Sequence, residues 1–348
     1  MELYIKGIGS ISPSENFENI SHTPEIKLVD DVYKYYFCIE PIYKEIINPL
    51  LLRRMSRAMK MGIASALLCL KDAKIETPDA IITATGLGCV DDSDKFLTSL
   101  IENEEKMLNP TPFIQSTHNT ISSQIALILK CHGYNSTYAG RGACFETALL
   151  DAKILINEEH LQNVLVGAYD ELIANQIRIL YRLGLFRHNN NLSIHTELDS
   201  ASQNLPGEGA SFFVVSPTSS DTVYAKISDF EIVNNTMQVK NVIANILIKN
   251  SISFENVNSV MVGSNSSFDK HYTKFIDLFP YSNILWFKHL CGEYMTSSAF
   301  ALLLAAHCLK NKYIPEIAYV KKTNNKNENI LIINRLLNGQ TALFLLNK

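Results

Sequence analysis

The chain has 348 residues, 47% of them hydrophobic and 19% charged, with a formal net charge of −4. That length permits two packed layers or two core-bearing halves without disulfide or metal staples. The weak negative charge excludes a general nucleic-acid surface and a polybasic membrane face. The seven cysteines (Cys38, Cys69, Cys89, Cys131, Cys144, Cys291 and Cys308) are odd in number and form no CxxC pair or Cys/His ladder. They are expected to be reduced, mostly buried thiols; no metal site is expected.

The opening "ELYIKGIGSISP" predicts a strand closed by Gly, Ser and Pro. It carries no basic segment followed by an apolar core, so no signal peptide is expected. Residues 14–49 are irregular and rich in aromatics. From Leu51, the residues Met55, Met59, Ile63, Leu67 and Leu70 recur at helical spacing. "DAIITATG" is a short β-rich run, and "THNTISSQIALILK" predicts a helix with Thr or Asn near its start as cap. "ETALLDAKILI" predicts another helix. "NVLVGAYDE" and "GASFFVVS" are apolar enough for strands buried on both faces. After "PTSSDT" the pattern restarts with the strands "VYAKISDFEIV" and "SVMVG". "SSAFALLLAAHCL" is a helix apolar almost all round, hence central. "NILIIN" and "TALFLL" close the chain as a hairpin-like pair, with Asn338-Gly339 as the turn signal. The longest apolar run, Ala299 to Leu309, is too short to span a bilayer. A cytoplasmic α/β protein with mostly parallel sheets is expected, divided at "SPTSSD" into halves 1–215 and 216–348.

The order of these segments resembles that of a β-ketoacyl synthase of the thiolase fold. "IKGIGSISP" resembles the family's first strand and turn, "RRMSRAMKMGIASALLCLKDA" its first long helix, and "TGLG" its glycine-bearing strand end. "PFIQSTHNTISSQIAL" is similar to its dimer-interface segment, and "HLCGEYMTSSAFAL" to its second-histidine motif. The resemblance covers nearly the whole chain. It implies two similar α/β halves in an α-β-α-β-α layering, with no cofactor and with substrates carried on the phosphopantetheine of an acyl carrier protein.

The family's chemistry needs a cysteine at a helix N-terminus, with two histidines to stabilise the charge that develops. Matching the helix body "ALLDAKIL" puts Arg141 at the nucleophile position, with Cys144 one turn in. Matching the dipeptide "AC" puts Cys144 there, at the cost of rotating the helix's apolar face. The first match is preferred, and an arginine cannot form a thioester. His289 in "KHLCGEY" matches the second histidine, whereas Ser264 in "SNSSFD" stands where the first is expected. Ile284 stands near the place of the family's lysine, and "NRLLNGQT" replaces its glycine-phenylalanine gate.

A triad reduced to one member implies a subunit without chemistry of its own. The strings "RGACFETALLDA" and "KHLCGEYMTSSAFAL" resemble chain-length-factor-like subunits of aryl polyene and flexirubin-type pigment clusters, which pair with an active ketosynthase. The alternative is an atypical ketosynthase or acyltransferase using Cys144 and His289. On the resemblance, Leu87, Phe113, Gln115 and Thr117 line the tunnel or interface, and Arg53, Arg54 and Arg57 dock the acidic carrier protein. Asp170 and Glu171 are read as structural or interface residues.

Overall fold

The computed structural model describes residues 2–14, 20, 22–186, 204–264 and 270–348. The first part of the chain runs β1 (Leu3–Ile11), the hairpin β2 (Ile26–Val29) and β3 (Tyr33–Tyr36), α1 (Pro49–Leu52), α2 (Arg57–Ala73), β4 (Ala80–Thr85), α3 (Val90–Glu102) and α4 (Pro110–Gln115). It continues with α5 (Thr120–Leu129), β5 (Tyr134–Ala139), α6 (Cys144–Glu159), β6 (Val164–Asp170), α7 (Ala174–Arg182) and β7 (Gly209–Ser216). The second part runs β8 (Ala225–Val233), α8 (Val239–Lys249), β9 (Ser259–Val262), α9 (Lys270–Ile276), β10 (Asn283–Trp286) and α10 (Lys288–Cys291). It ends with α11 (Ser297–Asn311), β11 (Tyr319–Lys321), β12 (Asn329–Arg335) and β13 (Thr341–Asn347).

Strand pairing shows an internal repeat. One set reads β1-β7-β6-β4-β5 and the other β8-β13-β12-β9-β10. In each, the first two pairings are antiparallel and the last two parallel, so the mostly parallel sheet expected from the alternation of strands and helices is not met: the strands that close each set return antiparallel, which needs no crossover helix. Only Leu3, Tyr4 and Ile5 of β1 pair with β8, joining the sets into one eleven-stranded sheet. The long helices repeat as well: α2 and α8 follow the first strand of each set, and α6 and α11 precede the third.

Side-chain alternation along the strands explains the layering. In β6, Val164, Val166 and Ala168 face a central core shared with α6 and α11, whereas Leu165 and Tyr169 face an outer core with α2 and α5. In β12, Ile330 and Ile332 face the same central core, whereas Leu331 and Ile333 face a second outer core with α8. Helices therefore lie outside each half-sheet and between the two. Every residue of α11 from Ser297 to Leu309 is buried, as its continuous apolar sequence predicts.

Two local expectations change. The helix predicted from Leu51 is interrupted: Asn48 caps the single turn α1 through Leu50 N at 2.9 Å, and the main helix starts only after Ser56. The break leaves Leu50 and Leu51 exposed while Met59 and Ile63 turn into the core. The segment read as irregular contains the β2–β3 hairpin, whose Tyr33 and Tyr35 pack with Tyr181 of α7.

Candidate functional site

The C-terminal ends of β4, β6, β9 and β12 meet the N-termini of α6 and α11 at the seam between the two sets. Asp170, at the end of β6, clasps the seam. Its carboxylate accepts from Gly86 N (2.7 Å) and Thr85 Oγ1 (3.2 Å) on one side, and from Thr296 N (3.0 Å) and Oγ1 (2.8 Å) on the other. Burial raises its pKa although all four donors oppose the rise. The structural reading of this carboxylate agrees with its saturated shell.

Helix α6 begins at Cys144. The expectation that Cys144 lies one turn inside, with Arg141 at the helix mouth, is not met. Gly140, Arg141 and Gly142 remain in the connection from β5, and Arg141 is exposed. The apolar face of α6 extends to its first residues, with Cys144, Phe145, Ala148 and Leu149 all buried, and this fixes the start. A Cβ at Gly142 would stand 2.3 Å from Asn338 Nδ2 and 2.7 Å from Gln340 Oε1, so those side chains would have to swing aside. The β12–β13 turn therefore lies directly over the approach to α6.

Although it sits at a helix N-terminus, Cys144 is not set up as a thiolate. Burial, then the nearby carboxylates of Asp170 and Glu146, push its thiol far above the ordinary value. Glu146, two residues on, is fully buried, and its pKa is raised to about 7 by desolvation, opposed by a hydrogen bond from Ser298 and the proximity of Lys288. Its Oε1 has no partner among the described residues. Ser298 in turn accepts from Asn334 Nδ2 at 2.9 Å.

Lys288 places a buried cation in this region. Its ammonium is out of solvent, paired with Glu293 and donating to Ser297 Oγ at 2.6 Å; Glu293 also accepts from Asn204 Nδ2 at 3.3 Å. His289 is engaged elsewhere. Its Nε2 lies 3.0 Å from the Ile317 carbonyl, which can only accept, so Nε2 carries the proton. Burial lowers its pKa to about 4, which keeps the ring neutral. Ser264 is buried at the end of β9; the rest of "SNSSFD" lies outside the described residues.

The remaining sequence-predicted residues separate into groups. Leu87 is half-buried in the turn after β4. Phe113 is 56% exposed on α4 and packs on Phe96 with ring centroids 5.1 Å apart. Thr117 is exposed and bonded to Thr120 Oγ1 at 2.9 Å, while Gln115 donates to the Arg54 carbonyl. Arg53, Arg54, Leu50, Met59, Ile114 and Gln115 line a cleft of about 750 Å³. Arg57 departs from the docking role: it is bound to buried Glu208 and to Glu40, and it stacks 3.9 Å above the Phe37 ring. Sequence reasoning does not single out Glu146, Lys288 or Glu293. The available signal is Lys and Glu flanking the glycine in "KHLCGE".

Residues 39–179 match the family model described as beta-ketoacyl synthase, N-terminal domain. That stretch is similar to the ketosynthase N-terminal domain, and over its full length the chain has the fold of ketosynthase structures. A ketosynthase/chain length factor for ishigamide superposes with a TM-score of 0.77 at 15% identity, covering 100% of this chain and 99% of that one. A beta-ketoacyl synthase from Burkholderia phymatum superposes at 0.78 and 13% identity, with coverage of 100% and 99%. The ketosynthase ApeO in complex with its chain length factor ApeC, from Xenorhabdus doucetiae, gives 0.74 at 13% identity, covering 99% and 98%. Among curated proteins, none matches the chain in sequence.

Proposed function

We propose that the chain is a chain-length-factor-like subunit without condensing activity. In this reading it pairs with an active β-ketoacyl synthase and shapes the tunnel for an acyl or polyene chain in type II polyketide biosynthesis of the aryl polyene kind. The observation that carries the reading is the environment of Cys144. Decarboxylative condensation needs a thiolate to take the acyl group and positive or hydrogen-bonding groups to hold the enolate. Here the thiol lies near two carboxylates, the histidine carried over from the family pattern is neutral and bound to Ile317, and the buried cation Lys288 is paired with Glu293.

The fold relatives support pairing, since two of them are ketosynthase and chain length factor assemblies. Exposed apolar side chains on α4, α5 and α6, with Phe113 and Thr117 beside them, supply the surface for a partner. An apolar tunnel wall stabilises a chain by about 0.8 kcal/mol per buried CH₂, so a side chain such as Leu87 can set a length limit. The cleft at Arg53 and Arg54 has the charge to receive an acidic carrier protein.

A second reading, an atypical acyltransferase using Cys144, draws on the one feature that favours it: Cys144 is the first residue of a sixteen-residue helix. Exposure of the purified protein to a cerulenin-like probe or an acyl thioester, followed by intact-mass analysis, separates the two. The proposed function expects no adduct at Cys144. It also expects the synthase encoded nearest in the genome to copurify with the chain. An adduct at Cys144 overturns it.

A further inference from the structure

The 40 residues between Glu105 and Glu146 contain no Asp or Glu, although the chain as a whole has an acid at one position in ten. The fold gathers this stretch into one face. It comprises α4, α5, β5 and the approach to α6, and β5 is the last strand of the sheet, its outer edge unpaired. Exposed Phe113, Ile114, Leu127 and Tyr134 make the face apolar, and Leu150 and Ile154 of α6 extend it. Its exposed basic side chains are Lys130 and His132 just before β5 and Arg141 just after it; exposed Asp79 adjoins Gly133 but gives its carboxylate to the Gln162 and Asn163 amides. None of the three basic side chains takes part in an ion pair among the described residues. Beyond β5, the half-buried Asp151 of α6 lies against Tyr138 of the strand, and the exposed Glu158 and Glu159 sit on the last turn of α6.

Resting on the proposed pairing with a synthase, we infer that the charge of this edge decides what it pairs with, rejecting a second copy of the same chain and selecting a subunit of the same fold whose edge carries carboxylates. The reason is geometric. A self-pairing through β5 is isologous and antiparallel. It sets Arg141 of one copy against the Lys130–His132 end of the other, at both ends of the ladder. Cation then faces cation twice, with no acid in either strand to intervene, and like charges juxtaposed across an interface act against the wrong partner. The unpaired ladder and the apolar flanks remain attractive, so a strand bearing acids at those two ends meets both requirements.

The first arm of the test uses this chain alone. Sedimentation of the wild-type chain and of the Lys130→Glu/Arg141→Glu double variant, separately and in equal mixture, is expected to give two monomers and a mixed dimer, because one basic edge then meets one acidic edge. Both substituted positions are exposed, so thermal unfolding of the variant should match wild type and serves as the folding control. With the neighbouring synthase coexpressed, the same variant is expected to bind it about tenfold or more weakly. Wild-type dimers that dissociate on Thr137→Pro in β5 would overturn the inference, as would unchanged synthase binding by the charge variant. If the mixed dimer forms but no synthase copurifies with wild type, the functional reading fails and the edge inference stands.

Discussion

The ammonium of Lys288 and the carboxylate of Glu293 form an ion pair in which both side chains are withdrawn from solvent, at 0% and 4% exposure. Gly292 lets the chain turn between them with φ +79°. The pair and Ser297 lie at the start of α11, close enough to Glu146 for the lysine's charge to act on it.

Removing one partner from this pair strands the other. Lys288→Met is expected to lower unfolding free energy by about 3–5 kcal/mol, and the double change Lys288→Met/Glu293→Gln to recover a large part of it. Urea titrations of the three proteins measure both effects. A loss below about 1 kcal/mol in the single variant would show that the pair is solvated.

Glu146 makes stability depend on pH with a definite sign. Its folded pKa, about 7, lies above the 4.5 of the unfolded chain, so the native state holds an extra proton between those values. Its contribution is fully present below pH 4.5 and is lost as pH rises to 7. Glu146→Gln mimics the protonated form and should therefore stabilise by up to about 3 kcal/mol at pH 8 and change little at pH 4.5. His289, lowered from 6.5 to about 4, works in the opposite direction, its penalty vanishing as pH rises through 6.5. The wild-type profile is consequently flatter than that of Glu146→Gln, in which the rise from His289 stands alone, and chemical denaturation at pH 4.5, 6 and 8 resolves the two contributions.

Thiol reactivity follows from the same carboxylates. In the native protein Cys144 should resist iodoacetamide through pH 9, whereas in denaturant it should react as an ordinary cysteine. Glu146→Gln ought to accelerate the native reaction somewhat, because it removes one of the charges opposing the thiolate. Peptide mapping after timed alkylation would reveal a fast-reacting Cys144, contrary to this expectation.

The three arginines of "LRRMSR" should behave differently from one another. Arg57→Ala leaves Glu208 buried without its cation and is expected to cost about 3–5 kcal/mol. Exposed Arg53 and Arg54, changed together to Glu, should alter stability by less than about 0.5 kcal/mol and weaken capture of an acidic carrier protein. Thermal melts together with a carrier-protein binding assay distinguish these outcomes.

The sequence shows β6, β7, β12, β13 and α11 plainly, because nearly all of their residues are buried and the apolar pattern has no competing explanation; β1 shows instead by alternation, one face buried and the other partly exposed. It hides β5: "YNSTYA" is polar, since the strand lies at a sheet edge and owes its conformation to pairing with β4. The start of α6 is ambiguous for a related reason. Ala143 at the cap position contributes no side-chain bond, so no capping residue marks the first turn, and matching the helix body alone moves the start by three residues. Lys288 and Glu146 are invisible in the sequence because charged residues are ordinarily assigned to the surface; only the folded chain shows that they face each other's layer. His289 keeps the family spacing, but spacing does not specify which way an imidazole points.

Helix α11 has thirteen consecutive buried residues, and half the residues of α6 beside it are buried as well. A middle layer sandwiched between two sheets must be occupied at full density whether or not it reacts. Side chains at such a place have to fill the volume and satisfy one another's polar groups. Substitutions in this scaffold are therefore expected to cost most at its centre and least in its outer helices.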